Sequence, residues 1–132
     1  MSRMRWLGFI ALAFGLLACQ AAGGEATSAP ERVITRYLEA RVRGDVDAMV
    51  RLSCADWELR ARNEAASLRN VEVKLEGLQC ATTTREAAQA LVRCTGKIVA
   101  NYNGELRDFD LSLRDFRLVQ QGGEWLMCGY SE

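Results

Sequence analysis

Five cysteines and no histidine set the chemistry open to this 132-residue chain. Without an imidazole there is no His-based triad, no His metal ligand and no ordinary side chain that titrates near neutral pH. Cys54, Cys80, Cys94 and Cys128 show no CxxC spacing, so they read as disulfide partners rather than as a metal or redox centre. Asp108, Asp110 and Asp115 are the carboxylates nearest to acid–base use. They alternate with Arg107, Arg114 and Arg117, however, and opposite charges along a strand read more simply as solvated cross-strand pairs. Asp45, Asp47 and Glu31 fit helix capping better than metal binding. Ser53 has no His or Lys beside it and does not read as a nucleophile. Neither a metal nor a cofactor is expected.

The elements that must position these residues fall into two halves. Pro30 follows Ser28 and precedes Glu31, a capping-box spacing, and Val33, Ile34, Tyr37, Leu38 and Val42 recur at helical spacing. Gly44 ends that helix and Asp45 caps a second, with Val46, Met49 and Val50 as its stripe. Ser53 to Asp56 offers another capping signal, and a third helix is expected from Trp57 to about Ala66. From Val71 the period becomes two. The first strand changes parity at Gly77, which predicts a bulge, and is expected to end in a polar turn over Thr82 to Glu86. A second strand runs to Tyr102, and Asn103-Gly104 is a tight-hairpin signal. A third carries Phe109, Leu111, Leu113, Phe116 and Leu118, with a parity shift at Arg114-Asp115. Gly122-Gly123 then turns into a fourth strand, Trp125 to Tyr130. The fold class is therefore α+β: N-terminal helices packed on a curved four-stranded antiparallel sheet.

On that frame the four cysteines allow three pairings. Cys80 and Cys94 flank one turn on adjacent strands, which favours Cys80–Cys94 and leaves Cys54–Cys128. In the loop-entropy description these bonds contribute about 3 and about 4.5 kcal/mol. The fifth cysteine closes a different segment. Arg3 and Arg5 precede an uncharged run, Trp6 to Ala18, whose thirteen residues fall short of the roughly 20 that span a bilayer. Leu16-Leu17-Ala18-Cys19 resembles a lipobox, the signal of bacterial lipoproteins. That resemblance implies a signal peptide over 1–18 and a lipid on Cys19, which also explains the odd cysteine. Cleavage nearby, for instance after Ala22, would instead release a soluble secreted chain. Gln20 to Ala29 is small, polar and Gly-rich, so 19–29 reads as a tether and 30–132 as the folded domain. Gln rather than Asp after Cys19 is compatible with the outer membrane of a diderm cell. The mature balance is 15 basic against 17 acidic residues, which gives no nucleic-acid footprint.

Three stretches, Pro30 to Leu38, Gly44 to Met49 and Gly123 to Cys128, resemble the superfamily of nuclear transport factor two, also called SnoaL-like or ketosteroid-isomerase-like. The resemblance implies a cone in which helices and a concave sheet enclose a pocket. Some members are enzymes and many bind or scaffold, so it leaves function open. Tyr37, Trp57, Tyr102, Leu126 and Tyr130 are the candidate pocket residues for a small apolar ligand, and core packing is their plainer reading. If Cys128 faces the helices, Trp125 and Met127 face outward, where they offer a partner or homodimer surface or take cover from the tether and neighbouring side chains. The leading expectation is an exported, membrane-anchored lipoprotein that binds a small ligand, a peptide or an envelope protein without catalysis. A carboxylate- and tyrosine-dependent isomerase or hydrolase, and a structural envelope component, are the rivals.

Overall fold

A computed structural model describes residues 28–131, so the expected signal peptide, Cys19 and most of the expected tether lie outside the described residues. Helix α1, Pro30–Arg43, buries Val33, Ile34, Tyr37, Leu38 and Ala40, the apolar face that its spacing predicts. Gly44 closes it, and the backbone N–H of Asp45 donates to the Ala40 carbonyl at 2.9 Å. The expected capping box does not form. Ala29 holds the cap position, Ser28 Oγ accepts from Arg36 Nη1 at 3.2 Å, and the Glu31 carboxylate accepts from the Thr82 hydroxyl of the sheet. Tertiary partners have outcompeted the local bond. Asp45 does cap α2, Val46–Arg51, by accepting from the Ala48 N–H at 3.0 Å. A 3-10 turn, Ala55–Trp57, leads into α3, Glu58–Ser67, whose buried residues Ala61 and Ala65 are small enough for close packing.

Five antiparallel strands follow, where four were expected: β1 Glu72–Glu86, β2 Gln89–Tyr102, β3 Glu105–Asp110, β4 Asp115–Gln121 and β5 Glu124–Ser131. The predicted third strand is two. Asp110 accepts from the Ser112 N–H at 2.8 Å and winds Leu111–Leu113 into a 3-10 turn, so β3 pairs one half of β2 and β4 the other. That break curves the sheet and accounts for the parity shift at Arg114. The main path is β1-β2-β4-β5. The turn expected over Thr82 to Glu86 is also displaced. β-branched Thr82, Thr83 and Thr84 continue β1, and the chain reverses at Ala87-Ala88. The bulge at Gly77 is present and lies against Gly96. A Cβ on Gly96 would stand 2.5 Å from the Glu76 and Gly77 carbonyl oxygens, so only glycine fits there.

The core lies between the helices and the concave face, around Ile34, Leu38, Met49, Val92, Ile98 and Leu118. Trp125 and Met127 belong to it, at 2% and 0% exposure, which corrects their assignment to an outer partner or dimer face. The cause is a second bulge. Arg117 pairs with Gly129 and Leu118 with Met127, leaving Cys128 as the extra residue and reversing parity across it. Trp125, Met127 and Tyr130 therefore pack on the core, whereas Leu126, alternating with two of them, leaves that face.

Both expected disulfides are present, Cys80–Cys94 directly across the β1–β2 ladder and Cys54–Cys128 between the 3-10 turn and β5. Beside the second bond the Cys54 N–H donates to the Met127 carbonyl at 2.9 Å, and the Met127 N–H to Leu52 at 2.8 Å. Cys54→Ser is expected to lower stability to urea by about 2–5 kcal/mol. Alkylation should then label Cys128, while Cys80 and Cys94 stay protected.

Candidate functional site

Tyr37 and Arg41 lie one helical turn apart on α1, so both reach the same end of the core. Facing them from α3 is Glu64, on the buried side that also carries Ala61 and Ala65. Its carboxylate, 17% exposed, accepts from the Tyr37 hydroxyl at 2.8 Å through Oε2 and from the Tyr130 hydroxyl at 2.5 Å through Oε1. Trp57 Nε1 donates to Tyr37 Oη at 3.1 Å, so the hydroxyl receives one proton and gives one. Arg41 Nη1 stands 3.9 Å from Glu64 Oε2. The result is a chain from indole to phenol to carboxylate to phenol, with a guanidinium beside it.

The aromatic rings are stacked by their edges. Tyr130 meets Trp57 and Phe116 at 5.3 Å between centroids, each edge to face, and the Arg114 guanidinium lies 5.1 Å over the Tyr130 ring. Burial pushes both phenols far above their ordinary value, and the Glu64 charge adds to the shift. They remain proton donors at any physiological pH.

Arg41, Glu64 and Tyr130 of this cluster form one wall of a cavity of about 260 Å³. Ile98, Leu111 and Phe116 supply its apolar surface, with Phe109 and the 75%-exposed Leu113 at the mouth. Arg41, Arg114, Asp108 and Asp110 complete the lining. A neighbouring groove of about 480 Å³, bordered by Trp57, Arg60 and Asn63, shares Glu64, Arg114 and Tyr130 with it. Of the five candidate pocket residues, Tyr130 lines the cavity and Trp57 the neighbouring groove, whereas Tyr37, bonded to both Trp57 and Glu64, is fully buried in the core behind them. Tyr102 does not join them: it ends β2 beneath the Arg107 guanidinium, 5.5 Å away. Leu126 is excluded by the bulge in β5 described above.

Two of the three aspartates make the expected cross-strand pairs, with Lys97 and Arg93 rather than with the arginines that alternate with them, and the third makes a local turn. Lys97 Nζ donates to Asp108 at 2.6 Å across β2–β3, and Arg93 grips Asp115 through two bonds of 2.7 and 2.9 Å. Asp110 holds the N–H and hydroxyl of Ser112. Among the described residues no group of three metal-binding side chains occurs. Sequence reasoning missed Glu64, Arg41 and Arg114. The available signal was Glu64 at a position three residues after Ala61, inside the stripe that begins at Trp57 and reaches Leu68.

No family model matches the chain, and no curated protein matches it. Solved structures do. A SEC-C motif-containing protein from Rhodopseudomonas palustris aligns with a TM-score of 0.56 at 12% identity, over 81% of this chain and 80% of that one. A candidate dehydratase of the nuclear transport factor two-like family from Streptomyces avermitilis gives 0.53 at 17% identity, over 73% and 86%. A candidate scytalone dehydratase from Novosphingobium aromaticivorans gives 0.51 at 11%, over 77% and 81%. At these identities the comparison establishes the fold: the α+β cone of nuclear transport factor two-like domains.

The phenol shifts carry a pH signature. Unfolded tyrosines ionise near pH 10. A folded value raised above that keeps its stability below about pH 10 and loses it as pH rises further. Absorbance at 295 nm should show two of the three tyrosines protonated past pH 10 until the chain unfolds. Ionisation of all three at pH 10 with the fold intact would contradict the buried cluster.

Proposed function

We propose that this chain is an exported lipoprotein, held to the cell envelope through Cys19, whose domain binds a small ligand in the cone cavity without transforming it. One observation carries the non-catalytic reading: both oxygens of Glu64 already accept tyrosine protons. The carboxylate is spent on holding the wall, and the two phenols give their protons to it rather than to the cavity. What faces the space is an apolar surface with two arginines and the already bonded carboxylates of Glu64, Asp108 and Asp110. A volume of about 260 Å³ sits just under the usual lower limit of ligand pockets, about 300 Å³, and suits a small molecule.

The anchoring rests on other support. Two disulfides fit an oxidising compartment, and pairing four cysteines leaves Cys19 for the lipid. No helix among the described residues is long and apolar enough to cross a membrane. With 1–18 removed, 19–29 would act as a tether between the acyl chains and the domain.

One observation favours a second reading. A carboxylate between two tyrosines is also a proton-transfer inventory, and two of the structural neighbours bear candidate dehydratase designations. An enzyme would have to swing a phenol away from Glu64 to use either group.

Native mass spectrometry of the chain extracted from membranes tests both parts of the leading reading. The expected result is a mature mass beginning at a lipidated Cys19, with a small molecule released unchanged on denaturation. An unmodified Cys19 thiol would overturn the anchoring. A released pair of interconverted molecules would overturn the non-catalytic reading in favour of the enzyme.

A further inference from the structure

We infer that the cavity takes a small monocarboxylate with an apolar body, its carboxylate held by Arg41 and Arg114; this rests on the ligand-binding reading above. The inference comes from which polar groups of the lining are already partnered. Each carboxylate of the lining is engaged: Glu64 through both oxygens by two phenols, Asp108 through one oxygen by Lys97 and Asp110 through one by Ser112. The Tyr130 proton is committed as well.

The donors are not. The Arg41 guanidinium makes no hydrogen bond among the described residues; its Nε is buried without a partner, and the side chain, 21% exposed, lines the cavity. Its one charged neighbour is Glu64 at 3.9 Å, beyond hydrogen-bond length. A planar carboxylate offers two parallel acceptors, which fit the reachable end of a guanidinium fork. Arg114 lies across Tyr130 between the cavity and the neighbouring groove and makes no ion pair among the described residues. It is placed to close on the same carboxylate.

The remaining lining sets the rest of the ligand. Asp108 and Asp110 at the rim repel a dianion, so a phosphate monoester fits worse than a carboxylate. Ile98, Leu111 and Phe116 need an apolar body against them. Phe109 and Leu113, 45% and 75% exposed at the mouth, would lose water contact when it arrives.

Three near-isosteric probes test this on the mature disulfide-bonded chain: phenylacetate, phenylacetamide and phenethylamine, followed by ¹H–¹⁵N shifts. Phenylacetate is expected to shift Leu111, Leu113 and Tyr130 and to bind about tenfold more tightly than the amide, with the amine weakest. Arg41→Gln and Arg114→Gln should each shrink that preference. Arg114 is exposed, so its variant tests the assignment even if Arg41→Gln unfolds. Equal or tighter binding of the amide or the amine would overturn the carboxylate and leave ligand binding standing. A preference that survives in every folded variant would overturn the arginine assignment. No shift at those three residues with any probe would sink the ligand-binding reading itself.

Discussion

A single half-buried carboxylate ties one end of the cone together. Glu64 comes from α3, one of its phenols from α1 and the other from β5, and Trp57 reaches the first phenol from the 3-10 turn. A charge partly withdrawn from water is best tolerated when its lone pairs are met, and here two phenols bond it with a guanidinium nearby. The cavity wall exists because these partners converge. The Cys54–Cys128 bond lies between two of the contributing segments, the 3-10 turn and β5, and keeps Trp57 and Tyr130 within reach of each other.

That arrangement separates architecture from function within a few ångströms. The tyrosines and the carboxylate satisfy one another, whereas the arginines around them keep unused donors. A fold that encloses a pocket does not say what fills it. The distribution of partnered and unpartnered groups narrows the choice, because a ligand gains most where it meets reachable donors that the chain leaves without a partner. Anchoring through Cys19 would then decide where that ligand is met, and the cavity would decide which ligand it is.

Local signals were legible in the sequence. Gly44 and Asp45 mark a helix end and a cap whose partners lie within five residues, and Asn103-Gly104 turns the β2–β3 hairpin. Cys80 and Cys94 could be paired because they flank one turn. What depended on distant partners was misread. Glu31 found Thr82 instead of its own helix end. The third strand broke because Asp110 capped a turn, and the bulge at Cys128 sent Trp125 and Met127 inward against a parity counted from the cysteine. Glu64 was passed over because a carboxylate in a charged helix reads as solvated. Its partners are the phenols of Tyr37 and Tyr130, 27 and 66 residues away in sequence, which no local pattern reveals.

The most direct test of Glu64 as a structural acceptor is urea unfolding of Glu64→Gln beside the native chain at neutral pH. The side-chain amide keeps one acceptor and turns an N–H toward the other phenol, while Arg41 loses its counter-charge. The account predicts a stability loss of about 1–3 kcal/mol, with the near-ultraviolet signal of the tyrosines altered in the folded state. A variant as stable as the native chain, with its tyrosine signal unchanged, would contradict it.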